Sequence, residues 1–458
     1  MIKKLILTAL SFLLLIAVSC DKKDNDSPQN PDPVIKDSVY QQYGTPFAGV
    51  PDVEDIIMYE VNLRAFSSAG NLQGVINRLD EIAKLKVNVL WLMPIHPVGE
   101  VNSVNSPYSV KNYKEVAQEY GTLNDLRRLT DAAHARGMAV MMDWVANHTA
   151  WDNPWISNKS WYTQDGSGNI IHPGGTNWMD VADLNYNSSA MRLAMIDAMK
   201  YWVYTANVDG FRCDYADGVP FDFWKQAIDS IRSVQNRKFI FFAEGTRNDH
   251  FTAGFDLNFG WQFYGALKDV FAGQPVNRIF SAHTTEYASA FVGKHWVRFT
   301  TNHDESAWDA TPVNLFNGTK GALAASALAI FTGGVPLIYG SQEVGTAANV
   351  PFFSNSSINW SANPEMLSTY QKMLNLYATE PAARSGQNII RQHNDVACLE
   401  KSLENSKILL IANVRNSNIS YTVPLDLRGT QWIDYEGIEQ LLPNQLQLEP
   451  YQFLLLKK

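Results

Sequence analysis

An arginine and an aspartate two residues apart close an apolar segment at 208–217 (VDGFRCDYAD). Alternation along a strand puts Arg212 and Asp214 on one face. A guanidinium there holds the neighbouring carboxylate ionised and oriented. Such a carboxylate suits a nucleophile or a stabiliser of positive charge, and it equally suits an ion pair that closes a strand. Three further segments weigh against a solely structural pair. Asp143 ends the apolar stretch 138–145, with Asn147 and His148 just after it. Glu244 ends 238–245 (KFIFFAEG), and Asn302, His303 and Asp304 stand near the end of 297–305 (VRFTTNHDE). Carboxylates and histidines gathered at successive segment ends are the groups that proton transfer and nucleophilic displacement require.

These residues need a scaffold that brings segment ends together. Residues 56–67 read as a strand, and 72–87 follow with apolar residues at three- and four-residue spacing, as in a helix. The near-continuous apolar run 87–95 (VNVLWLMPI) fits a parallel strand covered on both faces. A second helix is expected over about 122–136, capped by Thr122 and stopped by Gly137, before the strand 138–145. Residues from about 146 to 187 are rich in Trp, Asn, Gly, Pro and Asp without a clear period. The alternation then resumes through a helix at about 188–205, a strand at 208–216, a helix at 220–234 and strands at 238–245, 255–263, 297–305 and 335–343. Eight strands alternating with helices predict a TIM (β/α)8 barrel with an inserted subdomain after strand 3. Beyond about Ala383, short alternating segments with turn residues predict a C-terminal antiparallel β-sandwich. The expected boundaries are 1–19 for a signal peptide and 20–45 for a lipidated tether. The barrel takes 46–148 and 188–382, the inserted subdomain 149–187, and the β domain 383–458.

The active site of a TIM barrel lies at the C-terminal strand ends. Two carboxylates on such a rim suit glycoside hydrolysis; a pair about 5–5.5 Å apart favours a covalent intermediate and retention. Asp214 and Glu244 close adjacent strands, so retention is expected. Arg212 suits Asp214 to the nucleophile's role. Like charges and apolar walls favour a protonated Glu244, the general acid/base. Asp304 suits binding of sugar hydroxyls as charge develops on the ring, and His148 and His303 suit hydrogen-bond donation to the same sugar.

The segments DWVANH, GFRCD, FFAEG and FTTNHD, in this order and spacing, resemble the four motif regions of the α-amylase family, glycoside hydrolase family 13. VADLNY at 181–186 is similar to a further motif of that family. The resemblance covers nearly the whole mature chain. It implies Asp214 as nucleophile, Glu244 as acid/base and Asp304 as transition-state stabiliser. It also implies Arg212, His148 and His303 lining the subsite of the reacting sugar, Asp143 as a structural carboxylate beside it, and Tyr108 as an aromatic platform beneath it. It implies hydrolysis of α-1,4 bonds in starch fragments, maltodextrins or maltooligosaccharides. Transglycosylation, or preference for α-1,6 or short substrates, shares the same carboxylates; a non-catalytic glucan-binding protein is the rival from another class. Two departures bear on specificity. Asp217 and Gly218 stand where many members have Lys-His, and Ser106 stands where a His is common. The resemblance also implies Asn147 and Asp183 as oxygen ligands of a calcium ion, a hard cation suited to such donors. No organic cofactor is expected.

Composition sets the remaining bounds. A net charge of −9 without a long basic run argues against nucleic acid as a partner. Lys3 and Lys4 precede an apolar run ending at Ser19-Cys20, the pattern of an export signal. The ending AVSC resembles a bacterial lipobox with Cys20 lipidated, although Ala17 stands where Leu is commoner. The polar, Pro-rich 21–38 reads as a tether. An exported, lipid-anchored monomer is expected, an outer-membrane lipoprotein on the cell surface or the periplasmic face. Its only membrane partner would be through that anchor. Cys213 and Cys398 lie too far apart in sequence to suggest metal ligation and read as buried thiols.

Overall fold

The computed structural model describes residues 40–458. The expected signal peptide, Cys20 and most of the tether lie outside the described residues. The core is a closed parallel barrel. Its strands are β1 (Met58–Val61), β2 (Val89–Leu92), β3 (Ala139–Val145), β6 (Gly210–Asp214), β7 (Ile240–Ala243), β8 (Leu257–Phe259), β9 (His295–Arg298) and β10 (Val335–Tyr339). β1 lies between β2 and β10, which closes the ring, with Met58 opposite both Val89 and Leu337. Every residue of β1, β2, β3, β6, β7, β8 and β10 is buried, as the continuous apolar runs require of strands covered on both faces. Met58, Val89, Trp91, Ala139, Met141, Ile240, Phe242, Leu257, Phe259, Val297 and Leu337 fill the interior.

Helices cover the outside, with ends written in local sequence. Thr122 and Asp125 form a capping box at the start of Leu123–His134. Ser188 caps Ser189–Ala206, which ends on Asn207 in a left-handed conformation. Between β3 and the latter helix, β4 (His148–Ala150) pairs antiparallel with β5 (Val181–Asp183), setting His148 opposite Asp183. This small sheet is the frame of the aperiodic segment.

Several strands end earlier than their sequence suggests, the eighth at Tyr339 among them. The first stops at Val61, and Leu63–Phe66 turns into a short helix. The seventh stops at Arg298; Asn302 accepts from the Glu305 N–H at 2.8 Å and caps a helix at His303–Trp308. His303 and Asp304 thus sit in the first turn of a helix, where an Asn cap outweighs the extended pattern before it.

After the helix Pro381–Ser385 the chain is antiparallel. A six-stranded sheet runs in the order β11 (Gln387–Arg391), β12 (Val396–Leu403), β13 (Ser406–Asn413), β18 (Phe453–Lys457), β15 (Gln431–Asp434) and β16 (Glu439–Leu441). The pair β14 (Ile419–Thr422) and β17 (Gln445–Leu448) packs on it over Val396, Cys398, Leu409, Ile411, Tyr421 and Leu448. Arg415 fastens this sandwich to the barrel by donating to the carbonyls of Val270 at 2.6 Å and Gln274 at 2.7 Å. Cys213 and Cys398 are free, buried thiols. Among the described residues no helix is long and apolar enough to cross a membrane.

Candidate active site

One cleft opens at the C-terminal rim of the barrel. Asp214, Glu244, Asp304, His148 and Tyr108 line it, with Ser106, Trp178, Asp180, Tyr215, Trp308, Phe352 and Phe353 among the other walls. Asp214 ends β6, and Glu244 follows β7 directly. The ladder between these strands reaches Cys213 and Ala243, and the Glu244 N–H donates to the Cys213 carbonyl at 2.9 Å. The two carboxylates therefore leave neighbouring strands at one level. Asp304 comes from the helix start across the cleft, with its side chain 41 % exposed.

Arg212 lies beneath the pair with no exposed side-chain surface. Its Nη1 donates to Asp143 Oδ1 at 2.7 Å and to Asp214 Oδ1 at 3.1 Å. Its Nη2 stands 2.8 Å from Glu244 Oε2. That contact is an ion pair by distance, yet the N–H points off the line and has no aligned acceptor. Glu244 Oε2 instead accepts from the Tyr215 N–H at 2.8 Å. Burial and the Glu244 charge push the Asp214 carboxyl well above the usual carboxylate range, with Arg212 pulling against them. Three carboxylates share one guanidinium, so the cluster retains a proton that a lone ion pair would not. Arg212 favours the ionised Asp214, in the sense its spacing suggests, but its charge is divided among three partners.

Asp143 is sealed under the cleft floor. It accepts from Arg212, from Trp91 Nε1 at 3.2 Å and from the Tyr108 hydroxyl at 3.1 Å. His303 is also buried, below the cleft rather than in its wall. Its Nδ1 lies 2.5 Å from Glu60 Oε1 and its Nε2 2.8 Å from the Tyr108 hydroxyl. Burial alone would lower the imidazole's pKa, but Asp304 and Glu60 outweigh it and hold it up to about 9. His303 is therefore a cation at neutral pH and donates from both nitrogens. A relay runs from Glu60 through His303 and Tyr108 to Asp143. His148 differs: burial lowers its pKa to about 4, a backbone hydrogen bond at Tyr108 opposing, so it is neutral.

Asp183 lies in the small sheet opposite His148 and Asn147 in the bend just before β4, and neither lines the cleft wall. A Cβ on Gly218 would stand 2.4 Å from Asn147 Oδ1, so the glycine leaves that oxygen room. The Asp183 carboxyl is raised by burial, with a hydrogen bond from Thr163 opposing. Together they offer one carboxylate and one amide oxygen, and Ca²⁺ takes about six to eight oxygens. Among the described residues no cluster of three or more His, Cys, Asp or Glu side chains is arranged for a metal. Main-chain carbonyls and water would have to complete a calcium shell here.

Glu60, Trp91, Trp178, Tyr215 and Phe352 were not singled out by sequence. Glu60 alone carried a signal, as a lone carboxylate inside the apolar run IIMYEV.

The α-amylase catalytic-domain model matches residues 36–169. Over these residues the chain is similar to the catalytic domain of the α-amylase family of glycoside hydrolases. Alpha-amylase MalA of Haloarcula japonica is 25% identical over 413 residues, covering 84% of this chain and 59% of the relative. A cyclomaltodextrin glucanotransferase of Paenibacillus macerans is 26% identical over 402 residues, covering 77% and 55%. The chain thus spans little more than half the length of these two relatives. The crystal structure of an alpha-amylase from Lactobacillus plantarum superposes with a TM-score of 0.80 at 26% identity, covering 89% of this chain and 99% of that one.

Proposed function

We propose that this chain is a retaining glycoside hydrolase that cleaves α-1,4-glucosidic bonds in maltodextrins and starch fragments. The reading rests on Asp214 and Glu244, which leave adjacent parallel strands at one level of the same cleft. Such strands run about 4.7–4.9 Å apart, in keeping with the about 5–5.5 Å between carboxylates that retention needs.

In the first step an Asp214 oxygen bonds to the anomeric carbon while the bond to the leaving oxygen breaks. Glu244 gives its proton to that oxygen. In the second step water attacks the anomeric carbon, Glu244 takes the water's proton, and Asp214 leaves as a carboxylate. Asp304 faces the positive charge on the ring. Tyr108, stacked on His303 at 5.4 Å between centroids, offers the sugar a flat face.

Maltoheptaose followed by chromatography and NMR tests this. The expected early products are short and α-configured. β-Configured products would mean inversion, and none would favour a binding scaffold. Glu244→Gln is expected to lose turnover while still binding glucan; unchanged turnover would remove Glu244 from its role. A second reading, transfer to a sugar acceptor, is favoured by Trp178 and Tyr215, whose rings pack at 5.0 Å beside Glu244. Dominant longer products would mark it.

The same reading includes an exported monomer anchored through lipidated Cys20, with calcium held near Asn147 and Asp183. Calcium there would tie the small sheet to the loop carrying Gly218. Protease treatment of intact cells tests the location: loss of the protein means the cell surface, protection the periplasmic face, and release in soluble form without lipid would refute the anchor.

A further inference from the structure

The strand ladder that positions Glu244 stops before it is needed. β6 and β7 pair only as far as Cys213 and Ala243. Beyond them the Ala216 N–H still donates to the Glu244 carbonyl at 2.8 Å, but Gly245, Thr246 and Arg247 have left the sheet. Their backbone needs other partners, and for Thr246 and Arg247 one side chain supplies them. Asp217 Oδ2 accepts from the Thr246 N–H and from the Thr246 hydroxyl, each at 2.9 Å. Asp217 Oδ1 accepts from the Arg247 N–H at 3.2 Å. Arg247 returns the contact, donating from Nη1 to the Asp217 carbonyl at 3.0 Å and the Val219 carbonyl at 3.2 Å. Asp249 pairs with the same guanidinium at 2.9 and 3.0 Å.

The clamp is close-fitting. A Cβ on Gly245 would come within 2.4 Å of both Asp217 Oδ1 and His250 Cε1. His250 is buried, and its Nε2 lies 3.3 Å from Asp217 Oδ1. Asp217 stands three residues after Asp214, and Thr246 two after Glu244. The carboxylate therefore joins the two chain exits whose separation the proposed reaction depends on. It is turned into the β7 loop rather than toward the cleft, and it is absent from the cleft wall.

We propose that Asp217 is a positioning residue for Glu244, setting where the acid's oxygen meets the leaving group. The inference rests on the hydrolase reading above. A cationic or neutral residue at 217 would not accept these three hydrogen bonds, so an anionic residue here belongs to this chain's own way of holding its acid.

The test compares two substrates in purified protein. Maltoheptaose needs its leaving oxygen protonated. α-Maltosyl fluoride does not, because fluoride departs as an anion while Asp214 bonds to the anomeric carbon. Asp217→Ala is expected to lower kcat/KM for maltoheptaose by about 100-fold, the scale of loss for an ångström's misplacement, mainly through kcat. For fluoride release, kcat/KM should stay within about threefold of wild type, since acid assistance is the contribution removed. Equal losses on both substrates, or no loss on either, would overturn the proposal. If Asp217→Ala does not fold, Thr246→Val removes one donor to the same carboxylate; a loss of about 10-fold confined to maltoheptaose is expected, and losses shared by both substrates would again overturn it. A wild-type protein inactive on both substrates would instead sink the hydrolase reading itself.

Discussion

Arg212 and Arg298 are both sealed inside this molecule, and of the two only Arg212 lies beneath the cleft that holds Asp214 and Glu244. Arg298 pairs with Glu286 of the helix Asn277–Tyr287. It also donates to the Gly333 carbonyl at 2.9 Å and lies 3.2 Å from His283 Nδ1. His283, its pKa lowered to about 3 by burial and then by the Arg298 charge, is a neutral acceptor. One cation thus meets one anion, and its Nε and Nη2 find neutral partners. Arg212 meets three carboxylates and leaves Nε and Nη2 without aligned acceptors. A buried ion pair with matched charge holds parts together. A buried cluster with more carboxylates than cations holds protons ready to move. The imbalance, rather than burial, separates chemistry from architecture here.

The largest effect that would break this contrast is on turnover. Asp214→Asn is expected to lower kcat on the order of 10⁴-fold, with folding retained, because the amide still accepts from Arg212. Stability should move the other way. The native Asp214 carboxyl is raised above its unfolded value, so the folded chain binds more protons between the two. Its destabilising effect is absent below the ordinary carboxylate range and grows as pH rises through the raised value. The variant's melting temperature should therefore gain on wild type at pH 8 relative to pH 4; a gain largest at pH 4 would contradict the charge imbalance.

Glu286→Ala should do the opposite. It strands Arg298 and is expected to cost about 3–5 kcal/mol in chemical denaturation, while KM and kcat of the folded fraction stay near wild type. A change in product pattern instead would show that the two arginines are not separate in function. The smallest effect is expected from chelation. Stripping calcium should lower the melting temperature by a few degrees, about 1 kcal/mol for a protein of this size, and addition of calcium alone should restore it. No metal on analysis and no shift would remove the ion from Asn147 and Asp183.

The regions differ in legibility as well. Arg212, Asp214 and Glu244 were readable because each ends its own apolar run, and strand order in a barrel turns sequence ends into spatial neighbours. Asp217 was readable as a departure, but its target was not, since contacts in the loop after β7 follow from loop geometry that no period encodes. Glu60 meets His303 across 243 positions of sequence, a contact made only by closure of the ring. Trp178 belongs to the aperiodic segment after β3, where neither a helical nor an extended pattern fixes which rings face the cleft. His303 and Asp304 looked like a strand end because the apolar run before them hid the Asn302 cap.

Closure of the ring has a consequence in time. The first strand is completed by Met58 pairing with Leu337, so a segment near the start of the folded body waits for one made almost 280 residues later. Contacts of such sequence separation form late and slowly. Until β10 emerges, Glu60 lacks the neighbour that closes the wall around His303, and the cleft has no far side. A growing or still-unfolded chain therefore carries every reactive side chain but no assembled site, since the cleft wall also needs Phe352 and Phe353 from beyond β10.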